Sequence, residues 1–142
     1  MSLIGFDYGT RRIGIAAGNR ISASAQSLQA LQAKGGEPDW QRVDALLAEW
    51  QPEALVVGLP LTLDGGEQAV TLGARAFART LQERYRLPVH LIDERHTSQE
   101  AARRFAAQRA AGLQRRRNAT NIDSLAAVVI LESWLSENAR EP

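Results

Sequence analysis

The sequence predicts an α/β domain in which one mixed five-stranded sheet is flanked by helices. Three features point there: an alternating segment that turns back on itself at the start, a short continuous apolar run and a second short buried strand further on, and amphipathic stretches between and after them. Residues 3–7 alternate as a strand should, Gly9-Thr10-Arg11-Arg12 punctuates them, and residues 13–17 run back as the second arm of a hairpin. Residues 25–31 read as a third strand. Lys34-Gly35-Gly36-Glu37-Pro38 reads as a loop, with Pro38 suited to the first turn of a helix that runs to about Trp50. Val43, Leu46, Leu47 and Trp50 keep the spacing of one helical face.

Gln51-Pro52-Glu53 breaks that helix. Residues 54–60 are a continuous apolar run, the mark of a strand covered on both faces. Leu63-Asp64-Gly65-Gly66 is a polar turn, a long helix follows to near Arg86, and residues 88–92 form another buried strand. Strands and helices alternating at this spacing imply parallel crossovers. Thr97-Ser98-Gln99-Glu100 has the form of a capping box opening an alanine-rich helix, and residues 112–118 are a basic loop. Thr120 then caps a final helix whose wide apolar face carries Leu125, Val128, Val129, Trp134 and Leu135. No repeat or linker divides residues 1–142, so one domain is expected, as the length of 142 residues also suggests.

Composition narrows the classes. An apolar fraction of 44% and a charged fraction of 23% are ordinary for a globular protein. No apolar run approaches the ~20 residues needed to span a bilayer, and the first residues lack the pattern of a signal peptide. The chain has no cysteine, which excludes disulfides and thiolate metal sites. A cytoplasmic protein with no membrane partner is the expectation. The net charge is only +1, but its distribution is uneven. Lys34 is the single lysine, and Arg95, Arg103, Arg104, Arg109, Arg115, Arg116 and Arg117 face one acid, Glu100, over the same stretch. Guanidinium groups match phosphate geometry, so this cluster suits a nucleic-acid backbone. A solvated basic loop at 115–117 is the plainer alternative.

Asp7 is the odd residue of the first strand, set between Phe6 and Tyr8. An ionised carboxylate buried there costs several kcal/mol unless it is paired or bound to a metal, although an Asp folded into the hairpin turn is a competing reading. Asp93 and Glu94 come directly after the expected buried strand at residues 89–92, and ligands bind at the carboxyl ends of parallel strands in such sheets. Adjacent strand residues point to opposite faces, so only one of the two is expected to face Asp7. Asp123 falls in the expected first turn of the last helix, where a negative charge is favourable in any case. Ala126 and Ala127, further along that helix, would let its face lie close to a site. Together the three acids form a set of hard oxygen ligands suited to Mg²⁺ or Mn²⁺. Two such ions ~4 Å apart activate water and stabilise the leaving oxygen in phosphodiester hydrolysis.

The segment Gly5-Phe6-Asp7-Tyr8-Gly9-Thr10-Arg11-Arg12-Ile13-Gly14-Ile15-Ala16 resembles the opening motif of the YqgF/RuvX family. Val56-Val57-Gly58-Leu59-Pro60-Leu61, Asp93-Glu94-Arg95-His96-Thr97-Ser98 and Ile122-Asp123-Ser124-Leu125-Ala126-Ala127 match its later motifs in order. The resemblance implies a ribonuclease-H-like fold and a metal-dependent nuclease associated with 5′-end maturation of pre-16S ribosomal RNA. It implies that Asp7, Glu94 and Asp123 are the catalytic, metal-binding triad, with Asp93 the less secure neighbour. The expected nucleic-acid-binding set is Arg11, Arg12, Arg95, Arg115, Arg116 and Arg117. Expected partners are structured RNA, branched DNA and ribosomal particles, met as a monomer or a dimer. Two alternatives stay open: a Holliday junction resolvase, and a binding module that kept the fold without the reaction. The Asp-x-Gly-Thr at residues 7–10 also opens actin/hexokinase-like ATPases, but those pair two such domains and this chain has the length for one. His96 and His90 read as structural histidines, and Trp40, Trp50 and Trp134 as packing residues.

Overall fold

The computed structural model describes residues 2–62, 64–94 and 124–138. Strands β1 (Ser2–Asp7), β2 (Arg12–Asn19), β3 (Ser24–Lys34) and β4 (Glu37–Pro38) come first, then α1 (Trp40–Trp50), β5 (Ala54–Leu59), α2 (Ala69–Tyr85), β6 (Val89–Asp93) and α3 (Leu125–Asn138). They form a six-stranded sheet in the order β4-β3-β2-β1-β5-β6. β1 pairs antiparallel with β2 on one side and parallel with β5 on the other, and β5 pairs parallel with β6. The expected crossovers are therefore present, and β1 lies at the boundary between the antiparallel and parallel halves.

The alternation in β1 divides two cores. Ile4 and Phe6 point to one face and meet Val43 and Leu47 of α1 and Phe77, Ala78 and Leu81 of α2. Leu3 points to the other face and meets Ala127, Val128, Leu131 and Trp134 of α3. All six residues of β5 are buried, which explains its unbroken apolar run. Gly5 and Ala127 allow a close approach here. A Cβ on Gly5 would lie 3.0 Å from the Leu131 Cβ and 3.4 Å from the Ala127 carbonyl oxygen. That glycine makes room for the helix.

Three details depart from expectation. Glu37 and Pro38 are a short sixth strand, because the Gly35-Gly36 turn, with φ of 58° and 85°, folds the chain back onto Ala33 and Lys34. Pro38 consequently precedes α1 instead of starting it, and Asp39 is the N-cap, its side chain accepting from the Gln41 N–H at 3.1 Å. β6 is an edge strand and only half-buried, with the His90 ring against Trp134 at 4.8 Å between centroids. The other two tryptophans, Trp40 and Trp50, pack against the α1/α2-side core. Among the described residues no helix is long and apolar enough to cross a membrane.

Candidate active site

Asp7 ends β1 opposite Gly14, on the face of the sheet that carries α3. Asp93, the last residue of β6, is opposite Leu59, and Glu94 is the next residue. Alternation then puts Glu94 on the α3 face and Asp93 on the other, so Glu94 is the one that joins Asp7. Its backbone N–H donates to the Leu59 carbonyl at 3.1 Å, which fixes its position as the chain leaves the sheet.

Between these two positions lies Gly58 on β5. A Cβ there would sit 2.7 Å from Glu94 Oε1 and 2.8 Å from its carboxyl carbon, and would overlap the end of the Ile130 side chain. The missing side chain is the space that the Glu94 carboxyl occupies. Glu94 is 8% exposed, so both acids sit in a poorly hydrated corner at the carboxyl ends of the parallel strands.

Two carboxylates cannot both ionise cheaply in such a place. Burial pushes the Glu94 carboxyl up to about 9, and the Asp7 charge, the hydrogen bond with Asp7 and the charge of Asp93 push the same way. Burial also raises Asp7, partly offset by the hydrogen bond it accepts from Glu94. At neutral pH the pair is an acid–carboxylate dyad, with the Glu94 hydroxyl donating to Asp7. A proton does there what a cation does in a metal site: it neutralises excess negative charge. The donor set is all oxygen and acidic, which fits a hard divalent ion. Among the described residues no third acid or histidine completes a metal-binding cluster with these two.

Asp123, Arg95, Arg115, Arg116, Arg117 and His96 lie outside the described residues, as do the expected helix from Thr97 and the Thr120 cap. Ser124, named in the sequence only as part of the last motif, is fully buried, and its Oγ accepts the Ile15 N–H at 2.9 Å across 109 positions of sequence. This bond stands where the β2–β3 register shifts between Ile13 and Ile15. It anchors the start of α3 beside Gly14, the partner of Asp7. Arg11, in the turn after β1, and Arg12, the first residue of β2, are both exposed, at the same end of the sheet as the acids. The residues to which sequence reasoning gave no role, Gly58 and Ser124, act through partners remote in sequence, although both lie in motifs the resemblance had marked.

The family model described as "RuvX: Holliday junction resolvase" matches residues 1–137. The chain belongs to the RuvX family. A "Putative pre-16S rRNA nuclease" of Xylella fastidiosa is 51% identical over 135 residues, covering 95% of this chain and 87% of that protein. A relative of the same description from Xanthomonas campestris pv. campestris matches at the same identity and coverage. Among solved structures, Thermus thermophilus RuvC in complex with a Holliday junction substrate superposes with a TM-score of 0.61 at 20% identity, covering 99% of this chain and 97% of that one. The fowlpox virus resolvase with Holliday junction DNA gives 0.59 at 11% identity, covering 96% and 98%. These likenesses establish the ribonuclease-H-like resolvase fold expected from the sequence.

Proposed function

We propose that this RuvX-family chain is a metal-dependent nuclease that hydrolyses phosphodiester bonds in the 5′-end maturation of pre-16S rRNA. The observation that carries this reading is the Asp7–Glu94 dyad, two acids forced together at the carboxyl ends of parallel strands with Gly58 cleared to admit one of them. Close relatives named for pre-16S rRNA support the substrate.

Asp7 and Glu94, with Asp123 as the third carboxylate, would hold one or two Mg²⁺ or Mn²⁺ ions. When bound, such ions supply a water of lowered pKa and neutralise charge on the phosphoryl oxygens. The chain's own residues do the rest. Asp7 and Glu94 give up their shared proton as the ligands assemble, so metal uptake is favoured by rising pH. The α3 packing and the buried end of β5 keep bulk water from the back of the site. Arg11 and Arg12, with Arg95, Arg115, Arg116 and Arg117, supply guanidinium groups for the phosphate backbone of the substrate.

The test is cleavage of a short precursor-rRNA model beside a four-way DNA junction, with Mn²⁺, by wild type and Asp7→Asn. Cleavage of the RNA by wild type alone is expected. The description of the family model makes the junction a real competitor. Cleavage of the junction alone would move the substrate to branched DNA, and strong binding of both without cleavage would leave a binding module.

A further inference from the structure

We infer that Tyr8 is a positioning residue for the acidic dyad, seated in a socket made by Gly36 and Gly73. The inference rests on the nuclease reading of Asp7, but its physical content is testable without it. Tyr8 follows Asp7 directly, and its side chain goes to the opposite face of the sheet, where it packs against the α1/α2-side core. Its ring meets the Phe77 ring at 5.4 Å between centroids with an interplanar angle of 39°. Two elements distant in sequence leave out a side chain to admit it. A Cβ on Gly73 of α2 would lie 2.9 Å from Tyr8 Cε2 and 3.0 Å from the hydroxyl oxygen. A Cβ on Gly36, in the β3–β4 turn, would overlap that hydroxyl oxygen outright.

The rest of the β1–β2 turn hangs from the same place. The Gly36 N–H donates to the Thr10 carbonyl and the Ala33 N–H to the Arg11 carbonyl, both at 2.9 Å. The Asp7↔Gly14 and Arg12↔Gln32 pairs bracket the turn, and those two bonds and the Tyr8 ring hold the residues between them. One peptide separates the wedged ring from the Asp7 carboxyl, so a rotation that frees the ring also tilts Asp7 away from Glu94. Displacements of about 1 Å at a reacting centre cost on the order of 100-fold in rate. Phenylalanine keeps the wedge, whereas leucine removes the ring and Gly73→Ala expels it from the other side.

The experiment compares Tyr8→Phe, Tyr8→Leu, Gly73→Ala and the Tyr8→Leu/Gly73→Ala double variant. Mn²⁺ affinity is read by calorimetry, cleavage by kcat and KM, and turn mobility by amide hydrogen exchange of the metal-free protein. Tyr8→Leu and Gly73→Ala should each lose at least tenfold in Mn²⁺ affinity and kcat with KM for RNA held within about threefold. Tyr8→Phe should retain wild-type values within threefold, and Gly73→Ala should add nothing in the Tyr8→Leu background. In the metal-free protein the Gly36 and Ala33 amides should exchange at least tenfold faster in Tyr8→Leu, with those of β5 unchanged. If wild type neither binds Mn²⁺ nor cuts, the nuclease reading falls and amide exchange alone decides the role of Tyr8. Unchanged exchange, or a Tyr8→Leu protein that is less thermostable but binds and cuts normally, overturns the inference.

Discussion

Replacing Glu94 by glutamine should stabilise the metal-free protein, and increasingly so as pH rises. The folded state holds the Glu94 carboxyl protonated up to about 9, whereas its ordinary value is 4.5. The folded state therefore binds more protons than the unfolded state between those values, and stability falls with rising pH across that window. Below 4.5 the penalty is absent; by pH 9 it is fully developed. At pH 7 the interval above 4.5, at about 1.4 kcal/mol per pH unit, gives a cost of roughly 3 kcal/mol. Burial of the Asp7 charge works in the same direction. Glutamine keeps the shape and can donate to Asp7 without a proton to lose. In a domain of this size ~1 kcal/mol moves the melting temperature by about 3–4 °C, so the variant should melt roughly 10 °C higher at pH 7 in chelator. Saturating Mn²⁺ should reverse the order, raising Tm for wild type most at high pH and barely moving the variant. Melting curves at pH 5 to 9, with chelator and with Mn²⁺, make the measurement. Parallel wild-type and variant curves across pH would show that the two carboxyls do not share a proton in the native state.

Gly58→Ala should displace the Glu94 carboxyl and the tip of Ile130, lowering Mn²⁺ affinity and cleavage at least tenfold while costing only about 1–3 kcal/mol in stability; calorimetry and thermal melts separate the two. Ser124→Ala leaves the buried Ile15 N–H without its partner and should cost about 1–3 kcal/mol in a denaturant titration; a cost near zero would mean that another acceptor replaces the hydroxyl. Neutralising Arg115, Arg116 and Arg117 should reduce the slope of log binding constant against log salt by about 2 on single-stranded RNA; an unchanged slope would make that loop a bystander.

The parts of this fold readable from sequence are those where local pattern and tertiary environment agree. β1 alternates because its two faces meet different cores, and β5 is uniformly apolar because both of its faces are covered. β6 also reads as a buried strand yet lies at an edge, and the local difference from β5 is slight: His90 and Asp93 break its apolar run. β4 is too short to carry a pattern; it exists because Gly35 and Gly36 turn the chain. In the site, parity along β6 left one of two adjacent acids for Asp7 to meet, and the fold selects Glu94. Gly58, Tyr8 and Ser124 escaped because each is defined by what it leaves room for or reaches across the sheet, and such facts appear only once remote segments are together.

The position of β1 between two kinds of pairing has a consequence for the order of assembly. Its antiparallel partner β2 is reached through a short turn, while its parallel partner β5 comes only after β3, β4 and α1, and β6 later still. Closing those longer loops costs entropy before their contacts repay it, so the hairpins form early and the parallel half late. Asp7 and Glu94 meet only when β6 docks. The cost of burying the two acids, which forces Glu94 to keep its proton, is thus absent from the early search and weighs on the finished state, where it hastens escape. A divalent ion at the dyad accordingly acts as a latch: it lengthens the lifetime of the folded protein without speeding its arrival.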